Sequence, residues 1–264
     1  MKKIYLSLVL LFMYIPIAVL IVFSFNANRL GNTWGGFSLH WYTELFQDRQ
    51  INQALRNTIS IGLISASVAT IIGTLAALSI HNMRKNTRKI ILTISSLPVA
   101  TPDIVKGVSL MLLFVQFFTL SGSGRFGFGT LLLAHITFNI PYVVLTVLPR
   151  FRNMNHSLYE AALDLGANPI HAFLQAVIPQ LMPGIITGWL LAFTMSIDDF
   201  MVSFFTTGAG VNNLSLTIFA MARRGVNPMI NALSTLMFVF VMVLLLIINF
   251  RNVKENKKER ETGI

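Results

Sequence analysis

Asp198 and Asp199 are adjacent carboxylates in a run, Pro183 to Thr206, that holds no other charged residue. A carboxylate near the middle of a membrane-spanning helix costs about 2.5–3.5 kcal/mol on insertion scales, so such residues face a bundle interior or a wet path. Neighbouring helix positions differ by about 100° in azimuth, so both side chains meet one pathway only if it is wide or the helix unwinds there. The chemistry on offer is recognition of a cation; the competing role is a buried interhelical hydrogen bond or ion pair. A third carboxylate, Asp103, follows Thr101-Pro102 in another apolar run, with Lys106 three residues on. It suits three roles: a cation ligand, a complement to the positive end of a helix starting there, or the partner of Lys106. Counted at about 1.5 Å per residue from the cytoplasmic ends, Asp103 lies about 20 Å in and Asp198 about 22 Å in, so one level suits both. His135 and Asn139 share a helical face just before Pro141, a pattern for interhelical hydrogen bonding at a kink.

A second group of residues lies outside the apolar runs. Ser157-Leu-Tyr-Glu160 has capping-box spacing, which predicts a short helix starting there and stopping near Gly166. Asn168 offers a second N-cap, with Pro169 at the first helical position. Beyond it Ile170, Phe173, Leu174, Val177, Ile178 and Leu181 are spaced as one helical face. The expectation is an elbow of two short helices, able to dock into a partner's groove.

The elements that hold these residues follow from hydropathy. The chain has 264 residues, 54% apolar and 11% charged, and a mean hydropathy of +0.68. That leaves too little polar surface to cover a soluble globule, so the chain reads as an all-α membrane protein. Runs of roughly 20 apolar residues are spanning candidates. Six qualify, at about Ile4–Phe25, Asn57–Ile80, Ile90–Leu120, Phe128–Leu148, Pro183–Thr206 and Met229–Phe250. The first reads as an uncleaved span, because its apolar stretch exceeds that of a signal peptide and no clear small-residue cleavage site follows. The third is too long for one straight helix, and Pro98 and Pro102 interrupt it.

Thirteen Lys and Arg flank one side of these spans and six the other, which places both termini in the cytoplasm by the positive-inside rule. The net charge of +10 then marks topology and anionic lipid contact rather than nucleic-acid binding. No cysteine, no metal-binding histidine cluster and no phosphate-loop sequence is present, so neither thiolate chemistry, a metal site nor ATP hydrolysis is expected of this chain. Phe37, Trp41, Leu45 and Phe46 suggest a short amphipathic helix after Ser38 in the first external loop, an interfacial scaffold. Arg223 and Arg224 fall in the last external loop. The whole reads as one transmembrane domain, 1–264, with a cytoplasmic loop at about 151–182 and a charged tail at 251–264.

Glu160, Ala161, Ala162, Gly166 and Pro179 resemble the EAA loop through which permease subunits of ABC importers engage their ATPases; Ala176 and Ile178 depart from the usual residues at their positions. Similarity extends over nearly the whole chain. Ser24-Phe25-Asn26, Trp34-Gly-Gly-Phe37 with Trp41-Tyr42, Pro102-Asp103-Ile104-Val105, His135-Ile-Thr-Phe138 and Ser196-Ile-Asp198-Asp199-Phe200 look like the PotC-type permease family of spermidine/putrescine importers. An apolar residue is more usual at the position of Asp103. The resemblance implies a six-span type I ABC importer permease (MetI-like) fold in a bacterial inner membrane. It further implies a PotB-like second permease, a PotA-like ATPase homodimer that binds ATP and Mg, and a PotD-like extracytoplasmic binding protein. Polyamine would pass by way of Asp198, Asp199 and Asp103, with no bond chemistry catalysed in this chain. Two alternatives stay open: the same machinery with another cationic or small organic solute, and a proton-coupled secondary transporter.

Overall fold

The computed structural model describes residues 2–28, 33–225 and 228–262, with side chains for 5–28, 33–225 and 228–250. The charges of Lys2, Lys3 and the tail 251–264 therefore lie outside the described side chains. The helices are α1 (Lys2–Phe23), α2 (His40–Gln47), α3 (Arg49–His81), α4 (Lys85–Ala100), α5 (Asp103–Ser121) and α6 (Phe128–Arg152). They continue with α7 (His156–Asp164), α8 (Pro169–Ala172), a π-helical turn (Phe173–Val177), α9 (Ile178–Asp198), α10 (Met201–Thr206), α11 (Leu214–Arg223) and α12 (Pro228–Thr262). Among the described residues the extended structure is one isolated antiparallel bridge, Asn26 to Phe37.

Among the described residues, six stretches are long and apolar enough to cross a membrane: Tyr5–Phe23, Arg49–His81, Asp103–Ser121, Phe128–Arg152, Pro169–Asp198 and Pro228–Phe250. The expected number holds, while several bounds move for local reasons. α3 begins at Arg49 rather than Asn57, because Asp48 Oδ1 accepts from the N–H groups of Gln50 at 2.7 Å and Ile51 at 3.0 Å, capping the helix early. The third run divides into α4 and α5. Pro98 stays inside α4 and Thr101 is extended with ψ 144°, so Pro102 alone makes the break, as the restriction on a residue preceding proline requires. The fifth run starts at Pro169 and ends at Asp198, and the sixth continues helically to Thr262.

The chain gathers into two compact units. The first holds residues 1–57 and 212–245. Its core is Trp41 and Leu45 of α2, Ile51 and Ala54 of α3, Leu214 of α11, and Met229, Ala232 and Leu233 of α12. The Trp41 indole N–H donates to the Asn26 carbonyl at 2.7 Å, and the Ser24 and Tyr42 hydroxyls lie 2.7 Å apart. The expected amphipathic helix is thus α2, but only Trp41 and Leu45 are buried; Phe37 and Phe46 are exposed.

The second unit, residues 58–211 and 246–264, is built on the packing of α6 against α9 and of α5 against α10. Leu131, Ala134, Val143 and Val147 of α6 and Leu181 and Ala192 of α9 are buried. Much of the rest of the surface is Leu, Ile, Val and Phe, the composition lipid chains solvate and water does not. α3 approaches α6 so closely at Gly73 that a Cβ there would fall 2.7 Å from Val143 Cγ1, the small-residue contact by which spanning helices associate without a hydrophobic drive between them.

Candidate functional site

The discontinuity between α9 and α10 organises the intramembrane charges. α9 ends at Asp198, and Asp199 is extended, with φ −65° and ψ 125°. Asp199 then acts as the cap of α10. Its Oδ1 accepts from the Val202 N–H at 3.2 Å, and its Oδ2 from the Ser203 N–H at 2.7 Å and the Ser203 hydroxyl at 2.8 Å. Charge-assisted bonds at a helix start satisfy donors that lipid could not. Asp198 is exposed on this chain's surface while the Asp199 side chain is only 9% exposed. The unwinding that would free both aspartates from a helical azimuth is present, and it gives them different surroundings.

Asp199 also borders a buried polar chain. His135 Nε2 lies 3.7 Å from Asp199 Oδ2 and 3.0 Å from Ser203 Oγ; Nδ1 lies 2.5 Å from Ser196 Oγ. Ser196 Oγ is 3.1 Å from Ser65 Oγ, to which the Asn139 amide donates at 3.5 Å. The interhelical hydrogen bonding expected of His135 and Asn139 is formed, and it joins α3, α6, α9 and α10.

The second break places Asp103 at the first position of α5. Lys106 Nζ is 2.5 Å from Asp103 Oδ1; the lysine side chain is 11% exposed and the aspartate 61%. Of the three roles open to Asp103, the ion pair and the helix-start position are both realised. α5 and α10 meet at Gly107, where a Cβ would stand 2.9 Å from the Met201 carbonyl oxygen and 2.8 Å from Phe205 Cδ2.

The elbow forms, with a different cap from the one expected. α7 starts at His156, and Asn155, not Ser157, caps it by accepting from the Ser157 N–H at 3.0 Å. The Ser157–Glu160 capping box is absent because asparagine, at least as good a cap as serine, starts the helix two residues earlier. Glu160 and Ala161 are exposed and Ala162 half-buried. Gly166, at φ 84°, ends the helix: its N–H donates to Leu163 O at 2.9 Å, and the Ala167 N–H to Ala162 O at 3.1 Å. This is a Schellman closure, which needs a left-handed residue at Gly166. Asn168 caps α8 through the Ile170 N–H at 3.1 Å, with Pro169 first in the helix.

Pro179 explains the π-helical turn. It lacks an N–H and its ring crowds the carbonyl four residues back, which a widened turn accommodates; the Ile178 N–H accordingly reaches Phe173 O. Gln180 joins the two halves of the elbow. Its amide donates to Ala176 O at 2.7 Å while its oxygen accepts from the Asn155 N–H at 2.9 Å. The π turn also shifts the helical phase, so the six apolar positions do not share one face. Val177 and Leu181 are buried, whereas Ile170 is 68% exposed and Leu174 54%.

Residues 69–252 match the family described as the binding-protein-dependent transport system inner membrane component. The chain belongs to that family. It is a permease subunit, a multi-pass inner-membrane protein and not itself an enzyme. The permease is 36% identical over 256 residues to the spermidine/putrescine transport system permease protein PotC of Haemophilus influenzae, covering 97% of this chain and 98% of the relative. It is 39% identical over 228 residues to the putrescine transport system permease protein PotI of Escherichia coli K12, covering 85% and 81%. The resemblance read from the motifs therefore holds. A chain in the crystal structure of a bacterial alginate ABC transporter with its alginate pentasaccharide-bound periplasmic protein superposes with a TM-score of 0.68 at 18% identity, over 97% of this chain and 93% of that one. A chain of the MetNI methionine ABC transporter gives 0.55 at 15% identity, over 81% and 98%. Both show the permease fold.

Sequence reading did not find Ser65, Ser203, Asn155 or Gln180. Serines in apolar helices commonly bond their own backbone, so nothing local marks those that reach another helix. For Asn155 a signal was available, since it precedes His156 as a better cap than Ser157.

Proposed function

We propose that this permease carries polyamines such as spermidine or putrescine through the membrane by alternating access, in an importer driven by a separate ATPase. The observation that carries the reading is identity of 36–39% over most of the chain with permeases named for those solutes. The chemistry at the α9–α10 break agrees with it. A linear polycation needs carboxylates for its ammonium groups and an apolar or aromatic wall for its methylenes. Asp198 is exposed, and Phe200 and Phe204 pack 5.6 Å apart just beyond it, where an aromatic face also attracts a cation. Asp198 is the direct ligand in this reading, Asp199 holds the break and adds negative potential, and Asp103 with Lys106 tunes that potential.

The elbow is the ATPase docking surface. Leu158, Leu165, Ile170 and Leu174 are exposed around Glu160 and Gly166, Leu165 to 90%, an apolar patch that a partner groove would cover. Both termini and the elbow face the cytoplasm. A PotA-like ATPase homodimer binds ATP and Mg there, a PotB-like permease completes the channel, and a PotD-like binding protein delivers substrate outside. The test is uptake by the assembled complex in proteoliposomes with ATP inside, comparing radiolabelled spermidine, putrescine and a neutral solute. Uptake of the neutral solute alone would remove the polyamine reading and leave the importer.

A further inference from the structure

His135 on α6 is 1% exposed and touches both sides of the break between α9 and α10. With the imidazole neutral, hydrogen bonding along its polar chain has one consistent direction. The Ser203 hydroxyl donates to Asp199 Oδ2, so Ser203 Oγ accepts from His135 Nε2–H, which leaves Nδ1 to accept from the Ser196 hydroxyl. Ser65 then donates to Ser196 at 3.1 Å in place of the Gly62 carbonyl at 3.3 Å, and the Asn139 amide donates to Ser65. The network thus assigns the Nε2–H tautomer, and the donors run toward the Asp199 carboxylate. An interhelical bond that only held α6 to the bundle would need one arm. This ring uses one nitrogen on the last turn of α9 and the other on α10, across the point where the helical ladder is missing. Such a point is where a chain hinges unless something bridges it.

We infer that His135 is a positioning residue for substrate recognition: it pins α9 to α10 across the break and so fixes the direction in which Asp198 is presented. The inference rests on Asp198 as the substrate ligand. The test uses the assembled transporter with His135→Ala, His135→Asn, which retains an amide near the Nδ1 arm, and His135→Gln, which retains one near the Nε2 arm. The KM for spermidine rises roughly fivefold or more in the alanine variant and less in the amide variants, while Vmax per assembled complex stays within about twofold. Since the chain has no cysteine, spin labels at Met182→Cys on α9 and Met201→Cys on α10 report the break directly. The pair gives one narrow distance distribution with His135 present and a broad one with His135→Ala. An unchanged distribution overturns the pin whatever uptake does, and a broadened one with unchanged KM overturns its part in recognition. Normal uptake by Asp198→Asn beside a broadened distribution and raised KM for His135→Ala would sink Asp198 as the ligand and keep the pin.

Discussion

Gly166 separates strain from docking. Its φ of +84° lies in the left-handed region, and a Cβ built there meets nothing within 4 Å. Alanine and glutamate at this position carry about the same backbone penalty, about 1–2 kcal/mol, and the Cβ of either meets no other atom of this subunit within 4 Å. Gly166→Ala and Gly166→Glu therefore weaken the Schellman closure equally but differ in bulk and charge on the open face of the elbow. If that face docks into an ATPase, the glutamate variant loses coupling well beyond the alanine variant. The assay is ATP hydrolysis stimulated by substrate-loaded binding protein, in nanodiscs, per assembled complex. The alanine variant keeps most of the stimulation and the glutamate variant little. Equal losses would mean that strain alone is responsible, and full stimulation in both would remove Gly166 from the docking surface.

Asp198→Asn and Asp199→Asn should fail differently. The first keeps assembly and loses polyamine uptake several-fold, and the second lowers assembled complex, because an amide has a single accepting oxygen: whichever way it turns, its NH2 faces either the Val202 N–H or the Ser203 donors and leaves a donor there unpaired, at a cost of roughly 1–3 kcal/mol. The reverse order, read by uptake and complex yield together, would exchange the two roles. Gln180→Ala deletes the bond from the Asn155 N–H that joins the halves of the elbow, together with the side chain's anchor on the Ala176 carbonyl, worth roughly 1–3 kcal/mol together. Amide exchange over 155–165 should quicken, and unchanged exchange would refute the stapling role. Reporter fusions after Lys89, Arg152 and Lys258 should read cytoplasm and those after Gln50 and Asn213 the outside; a cytoplasmic signal after Gln50 would invert the topology and deny the elbow its ATPase.

What the sequence made legible was whatever depends on period, composition or a single residue's backbone chemistry. Hydropathy gave the six spanning stretches, Pro102 the α4–α5 break, Gly166 the end of α7, and Asn168-Pro169 the start of α8. What it hid depends on competition or on distance. Ser157 and Glu160 fit a capping box until Asn155 competes for the same helix start. The face from Ile170 to Leu181 is regular at 3.6 residues per turn, and Pro179 disturbs that period by imposing a π turn upstream. The unwinding at Asp199 has no proline or glycine to announce it. It is stabilised by hydrogen bonds to Val202 and Ser203 and by the His135 chain, and Ser65 enters that chain from 131 positions before Ser196.

The elbow and the aspartates belong to one mechanical element. From Pro169 to Asp198 the chain is a 30-residue helical run, about 45 Å long at the usual rise, with the candidate docking surface at one end and the break at the other. A straight helix transmits displacement well and bends poorly, so movement at Asn168 is relieved at the compliant points along it. The π turn before Pro179 and the unwound Asp199 are two such points. Gln180 stiffens the first by tying it to Asn155, and His135 stiffens the second by bridging Ser196 and Ser203. A displaced elbow would then carry Asp198 with it rather than dissipate in a flexing joint. Loosening both ties at once should uncouple ATP hydrolysis from uptake while leaving each partner reaction measurable. If doubly loosened Gln180→Ala, His135→Ala complexes kept wild-type uptake per ATP hydrolysed, α9 would not be the transmitting element.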